Sequence, residues 1–229
     1  MNPNFYYIYS PEVGTNGGFV TVDLSDGSNG GGYSANEYLQ PGQAALFTTA
    51  ATGTSAITFT ESVKAPGNHT TSNATENDDV INVRLFTNDS YNSGKLAHDT
   101  FTILFADSHS NDINANDARK PMNFNENLAV DNNGTLLSIE RREMPAEDEV
   151  YQLYMSGFAE DTYLMRLEII GLADTVFLLE DAYTGNATTL QAGENLYTFE
   201  VDNDPLSKAT DRFSIKVETE LIQYTNVKA

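Results

Sequence analysis

The sequence predicts an all-β protein, an antiparallel β-sandwich or a pair of them, on three observations. Apolar residues recur with a period of two: Phe213, Ile215 and Val217 alternate with Arg212, Ser214, Lys216 and Glu218, and Phe101, Ile103 and Phe105 alternate with Thr100 and Thr102. Successive side chains of a strand face opposite sides of a sheet, so each such run offers one apolar face to a core. The intervals between runs are rich in Gly, Asn, Asp and Ser, the residues that close turns. No stretch of 12 residues carries an apolar stripe at the helical period.

In chain order, the aromatic run Phe5-Tyr6-Tyr7-Ile8-Tyr9 predicts a strand over 5–9. Phe19, Val20 and Val22 predict one over 18–24, and Ala44-Ala45-Leu46-Phe47 one over 43–49. Ile57 and Phe59 alternate with Thr58 and Thr60, which predicts a strand over 55–61. Strands are expected at 80–87 and 98–106 on the same grounds. Asn132-Asn133-Gly134 is a tight-turn signal between Leu128-Ala129-Val130 and a strand over 135–141. Further strands are expected at 150–156, at 162–170, where Tyr163, Met165, Leu167 and Ile169 share a face, and at 175–180, 195–201 and 211–218.

Two segments read as loops. Gly27-Ser28-Asn29-Gly30-Gly31-Gly32 reads as flexible surface chain, and Asp107 to Asn127 is polar and contains Pro121. The second is the expected domain boundary. It divides the chain into an N-terminal module, 1–122, and a C-terminal module, 123–229, two consecutive jelly-roll or immunoglobulin-like sandwiches. One continuous sandwich is the alternative.

Composition narrows the function classes. The 229 residues hold 33 Asp and Glu against 12 Lys and Arg, a formal charge of −21. Nucleic acid is excluded as a partner, since phosphate binding rests on clustered bases, and an anionic membrane surface repels the chain. No apolar run approaches the roughly 18 residues of a membrane span, so insertion is not expected. With 40% apolar residues the chain is expected to fold. The absence of Cys excludes disulfides, thiolate metal sites and cysteine catalysis. Met1 is followed by Asn-Pro-Asn rather than a signal peptide, and a strand begins almost at once, so a piece of a longer polypeptide is expected.

Several segments resemble, in order, one family. They are Tyr38-Leu39-Gln40-Pro41-Gly42-Gln43-Ala44-Ala45-Leu46-Phe47, Ile57-Thr58-Phe59-Thr60-Glu61-Ser62-Val63-Lys64, Val83-Arg84-Leu85-Phe86-Thr87-Asn88, Asn116-Asp117-Ala118-Arg119-Lys120, Val176-Phe177-Leu178-Leu179-Glu180-Asp181, Tyr197-Thr198-Phe199 and Asp211-Arg212-Phe213-Ser214-Ile215. Together they resemble the β-sandwich region that precedes the C-terminal sorting domain of large Bacteroidetes surface proteins exported by the type IX secretion system. Ala44-Ala45 stands where that family usually has aromatics. The resemblance implies a non-catalytic structural or adhesive segment, secreted and displayed at the cell surface. Its implied partners are the neighbouring domains of a longer chain and, through a sorting domain beyond Ala229, the secretion machinery.

Candidate chemistry is sparse. Asp112-Ile113-Asn114-Ala115-Asn116-Asp117 places oxygen side chains at relative positions one, three and five, as the opening of a calcium loop does. Asp112, Asn114, Asn116 and Asp117 are therefore the candidate metal ligands and Ca²⁺ the candidate cofactor. Asp117 replaces the usual Gly and Asn123 the usual Glu, so the competing reading is a loop whose side chains satisfy its own backbone. The histidines, His69, His98 and His109, lie in separate polar segments, and there is no Gly-x-Ser-x-Gly elbow. Asp107-Ser108-His109 are adjacent in sequence, but a triad is assembled by the fold. No enzyme is expected. The alternative function is a carbohydrate-binding module that stacks surface glycans on Phe5, Tyr6, Tyr7, Tyr9, Tyr33 and Tyr38, against the competing expectation that strand aromatics pack inward.

Overall fold

The computed structural model describes residues 4–49, 52–66 and 79–218. Its strands are β1 (Phe5–Ser10), β2 (Gly18–Asp23), β3 (Ala45–Leu46), β4 (Asp79–Thr87), β5 (Asp99–Phe105), β6 (Ala118–Arg119), β7 (Asn127–Asn132), β8 (Thr135–Arg142), β9 (Val150–Ser156), β10 (Thr162–Ile170), β11 (Val176–Asp181), β12 (Asn186–Leu190), β13 (Gly193–Glu200) and β14 (Phe213–Glu218). The one α-helix among the described residues, α1 (Asn88–Asn92), is a single turn capped by the Thr87 side chain. The expected all-β class is the observed one.

The large sheet runs in the order β12-β11-β14-β9-β7-β8-β5-β4-β10-β13, with β6 added on β8. Its pairs are antiparallel except β5–β8, which is parallel. Near its middle β8 serves both halves: Leu137 pairs with Val130 of β7, while Ile139 to Arg142 pair with Thr102 to Phe105 of β5. The outermost strands, β12 and β13, are separated in the chain by only Gln191 and Ala192. The sheet is therefore rolled until its halves face each other. Phe105 of β5 packs on Tyr151 of β9 at 5.6 Å, and Phe199 of β13 on Phe213 of β14 at 4.8 Å, contacts between strands that are not sheet neighbours.

The alternation read from the sequence fills this interior. Ile81, Val83 and Leu85 of β4, Phe101, Ile103 and Phe105 of β5, and Tyr163, Met165, Leu167 and Ile169 of β10 belong to one buried cluster with Phe177, Leu179, Ile215 and Val217. Asn133 and Gly134 both take positive φ, 52° and 83°, in the β7–β8 turn, as a two-residue hairpin requires.

A three-stranded sheet, β2-β1-β3, covers the outer face of β4, β10 and β8. Tyr6, Ile8, Val20 and Val22 pack there with Phe86 and Leu164, the outward residues of β4 and β10, and Phe5 packs with Ala118 and Ile139. The glycine-rich segment expected to be loose is ordered. Asn29 donates to Tyr33 O and Ala35 O and accepts from Gly31 N and Tyr33 N. Gly30, at φ +64°, lies so close to β5 that a Cβ would meet Thr102 Oγ1 at 2.5 Å.

Other expectations need correction. The boundary at 122/123 does not separate two hydrogen-bonded modules: β4 and β5 precede it, yet they pair with β10 and β8 beyond it in one core. The polar loop there suggested a linker, but polarity marks exposure and not the absence of pairing on either side. The strand expected over 55–61 is not formed: residues 54–60 are unpaired, and Glu61–Val63 is a short 3-10 turn. Strand β12 was not expected, because Asn-Ala-Thr-Thr-Leu carries no alternating apolar row.

The far end of the roll is clamped by a buried ion pair. Arg212 Nε and Nη2 donate to Asp181 Oδ1 and Oδ2 at 2.8 and 2.7 Å, and Nη1 donates to Glu200 O and Ser207 O. Tyr197 Oη donates to Asp181 Oδ2 at 3.1 Å, and the guanidinium lies over the Phe213 ring. Burial alone would raise the Asp181 carboxyl, but the hydrogen bonds and charge of Arg212 hold it below the usual range. Removing one partner leaves the other charged and buried, so Arg212→Ala is expected to lose about 3–5 kcal/mol, read as a lower urea midpoint with an unchanged slope.

Candidate functional site

The segment 107–126 follows β5 and, apart from β6, is irregular, so its side chains are placed by side-chain and turn bonds rather than by a ladder. In the predicted metal loop those bonds satisfy the chain itself. Asp117 is buried; its Oδ1 accepts from Arg141 N at 2.8 Å and its Oδ2 from Asn114 N at 2.7 Å. Asn114 Oδ1 accepts from Asn116 N at 2.8 Å, and Asn114 Nδ2 donates to Asp112 O. Asn116 Oδ1 accepts from Asn4 Nδ2 at 3.0 Å, and Asp112 is exposed. The four predicted ligands thus share one loop, in which the Asp117 and Asn114 oxygens accept from backbone amides. Among the described residues no group of three or more His, Asp or Glu side chains is placed to hold a metal ion.

The same segment carries charge into the interior. Lys120 Nζ donates to Asp99 Oδ1 at 2.8 Å, while Asp99 Oδ2 accepts from Leu128 N at 2.6 Å. Burial raises the Asp99 carboxyl above the usual range in spite of Lys120. Arg141, reaching out from β8, pairs with Asp23 at the end of β2 and ties the small sheet to the large one. Arg142 bonds Glu140 and Glu149, and Tyr151 Oη donates to Glu149 at 2.9 Å.

A cleft opens where residues 12–15, α1 and the turn before β10 meet. It measures about 720 Å³ and adjoins a smaller hollow of about 330 Å³. His98 and Lys95 line both, with Asp89, Ser90, Glu160 and Asp161 around the larger one. Beneath lies a buried carboxylate: Glu126 Oε2 is 3.2 Å from His98 Nδ1, and Oε1 accepts from Tyr163 Oη at 3.0 Å. Tyr163 Oη in turn accepts from Ala159 N and Glu160 N at 2.7 and 2.8 Å. Burial works against the charged Glu126, but hydrogen bonding and charge from His98, with Tyr163, hold its carboxyl below the ordinary range.

A histidine set against a buried carboxylate has the form of an acid–base pair. The cleft serine does not complete it, because Ser90 Oγ donates to Thr87 O at 3.0 Å in the cap of α1. The adjacent Asp107, Ser108 and His109 do not assemble either: Asp107 and Ser108 are exposed, and His109 Nδ1 faces Leu104 O at 3.3 Å. His69 lies outside the described residues.

The expected aromatic platform is also rearranged. Phe5, Tyr6, Tyr7 and Tyr33 are buried, and only Tyr9 and Tyr38 of that set are exposed. Burial, with the charge of Glu37, pushes the Tyr6 hydroxyl up to about 12, and its Oη donates to Asn36 O. Strand β1 is covered on both faces from Phe5 to Ile8, so Tyr6 and Tyr7 pack inward, while Tyr9 stays exposed.

Sequence reasoning missed Lys120 and Glu126, in the stretch read as a polar loop, and Arg141, at the end of a predicted strand. Each needs a partner distant in sequence, and no local pattern announces that. No family model, no curated protein and no solved structure matches the chain. No helix among the described residues is long and apolar enough to cross a membrane.

Two outcomes are expected here. Asp117→Ala leaves Arg141 N and Asn114 N without an acceptor and should lower stability by about 1–3 kcal/mol, equally in Ca²⁺ and in chelator, by chemical denaturation. Because the folded Glu126 carboxyl titrates below its unfolded value, its contribution is complete above about pH 4.3 and is lost as pH falls through the folded value. Glu126→Gln should therefore melt below the parent at pH 7, and the gap should close in strongly acid buffer.

Proposed function

We propose that this chain is a non-catalytic structural and adhesive segment of a secreted cell-surface protein, exported by the type IX secretion system, whose work is to hold, space and display its neighbours. The observation that carries the reading is where tension enters. The first described strand, β1, is hydrogen-bonded on both sides, to β2 and β3, and the last, β14, is bonded on both sides, to β11 and β9. Pulling either out disrupts two ladders, whereas an edge strand has one. The polar interior favours the same reading: Lys120, Arg141, Arg142 and Arg212 are each matched to a carboxylate and lock elements together. The exposed carboxylates resist non-specific association.

Single-molecule pulling, with the chain tethered between marker domains, tests the mechanical part. The large sheet is expected to rupture in one cooperative event, at a force no lower than that of an immunoglobulin-type sandwich in the same tether. Stepwise peeling at much lower force overturns a load-bearing role. Protease shaving of intact cells making the native full-length product tests display: loss of the segment from the cells is expected, and its protection there overturns surface exposure.

A further inference from the structure

Every residue from 52 to 66 is exposed, including Ile57, Phe59 and Val63 at 41, 67 and 66%. Thr54 to Phe59 make no hydrogen bond to the rest of the chain among the described residues. Yet Thr54-Ser55-Ala56-Ile57-Thr58-Phe59-Thr60 has the makings of a strand: β-branched and aromatic residues, an alternating apolar row, and no charge, Gly or Pro. A strand-competent segment with an unpaired backbone and an apolar face in water is one half of a β-augmentation.

The other half is on the same molecule. Among the described residues five strands are paired on one side only. Of these, β3 and β6 have two residues each, and β2 is covered by Asn123 and Ser138. Strand β13 carries Glu194 and Glu200, charges of the kind that guard an edge. Strand β12, Asn-Ala-Thr-Thr-Leu, has neither charge nor Pro, and four of its five residues are exposed. Its core-facing row is Leu190, Thr188 and Asn186, set opposite the buried Phe177, Leu179 and Asp181. Leu190 on that row is buried but Thr188 and Asn186 are exposed, so the row has no neighbour beyond β12 among the described residues. A strand laid along β12 with Ile57 and Phe59 on this side would extend the row.

We infer that residues 54–60 of one copy add as a strand to the β12 edge of a second copy, joining chains head to tail. A neutral strand meets a neutral edge, so the pairing brings no like charges into contact, although the net charge of −21 on each copy opposes approach at low salt. The contact is heterologous and leaves a free edge at one end and a free strand at the other, so it propagates. It does not depend on the surface-spacer reading above.

The absence of cysteine makes the test direct. Thr58→Cys chains are mixed with Ala187→Cys, Thr188→Cys or Thr189→Cys chains, one pair at a time, with oxidised glutathione in about 0.5 M salt, where the Debye length is a few ångström. Sedimentation of the parent chain is followed in parallel over a concentration series. The expected result is a mass that rises above 25.1 kDa with concentration and with salt, and a disulfide between different chains for at least one pair, since only paired strands bring Cα atoms within about 6 Å. Phe59→Asp should weaken association at least tenfold, and Thr58→Pro and Thr188→Lys should abolish it, with unchanged melting because these residues are exposed. A monomer under all conditions without cross-links overturns the inference, as does association that survives Thr58→Pro. A Thr58→Cys/Thr188→Cys double variant that closes within a single chain overturns the second copy as the occupant.

Discussion

The shape of this molecule follows from one covalent constraint. The strands at opposite ends of a ten-strand hydrogen-bonded path, β12 and β13, are joined by Gln191 and Ala192 alone. Two residues cannot bridge the width of an open sheet, so the sheet must roll. Asn195 secures the join: its Oδ1 accepts from Gln191 N and its Nδ2 donates to Gln191 O. With the two ends drawn together, the inward rows of both halves share one core. The opposite turn of the roll falls at β8, which divides its hydrogen bonds between β7 and β5.

Rolling leaves the outer face of β4, β10 and β8 to be covered, and the N-terminal sheet does this. It decides which residues are available for function. Strand β1 has neighbours on both faces, so Phe5, Tyr6, Tyr7 and Ile8 are all buried although successive side chains point opposite ways. A covered outer face also admits charge into the structure where it meets a partner, as in Arg141 with Asp23 and Lys120 with Asp99, or a pair of backbone amides, as at Asp117. The acidic surface and the paired interior are two sides of one rule: a carboxylate sits where water or a donor meets it.

Most strands were legible in the sequence because their apolar rows face a core, as in Ile81-Val83-Leu85 and Tyr163-Met165-Leu167. What was not legible depends on distant partners. Residues 55–61 have the strand pattern but no strand partner among the described residues, while β12 has a partner but no pattern. Period reports a buried face and is silent about which strands meet. For that reason nothing local revealed that β4 pairs with β10, and the polar stretch before Asn127 looked like a linker. The candidate site was legible only in part. The Asp112–Asp117 loop was found by its spacing, but spacing does not say whether an oxygen faces a cation or a backbone amide, and here Asp117 faces two amides. The His98–Glu126–Tyr163 group, drawn from three separate segments, carries no spacing at all.

The β4–β10 and β5–β8 ladders also bear on how the chain reaches its native state. Ile81 lies opposite Ile169, and Thr102 beside Ile139, so the central pairings close long loops before they return any energy. Topologies dominated by such non-local contacts fold slowly, over milliseconds to seconds. During that interval the strand segments are uncovered and open to mispairing with other chains. The strong mutual repulsion of nascent polyanions then acts as a built-in chaperone, keeping neighbouring molecules apart until each has found its own partners.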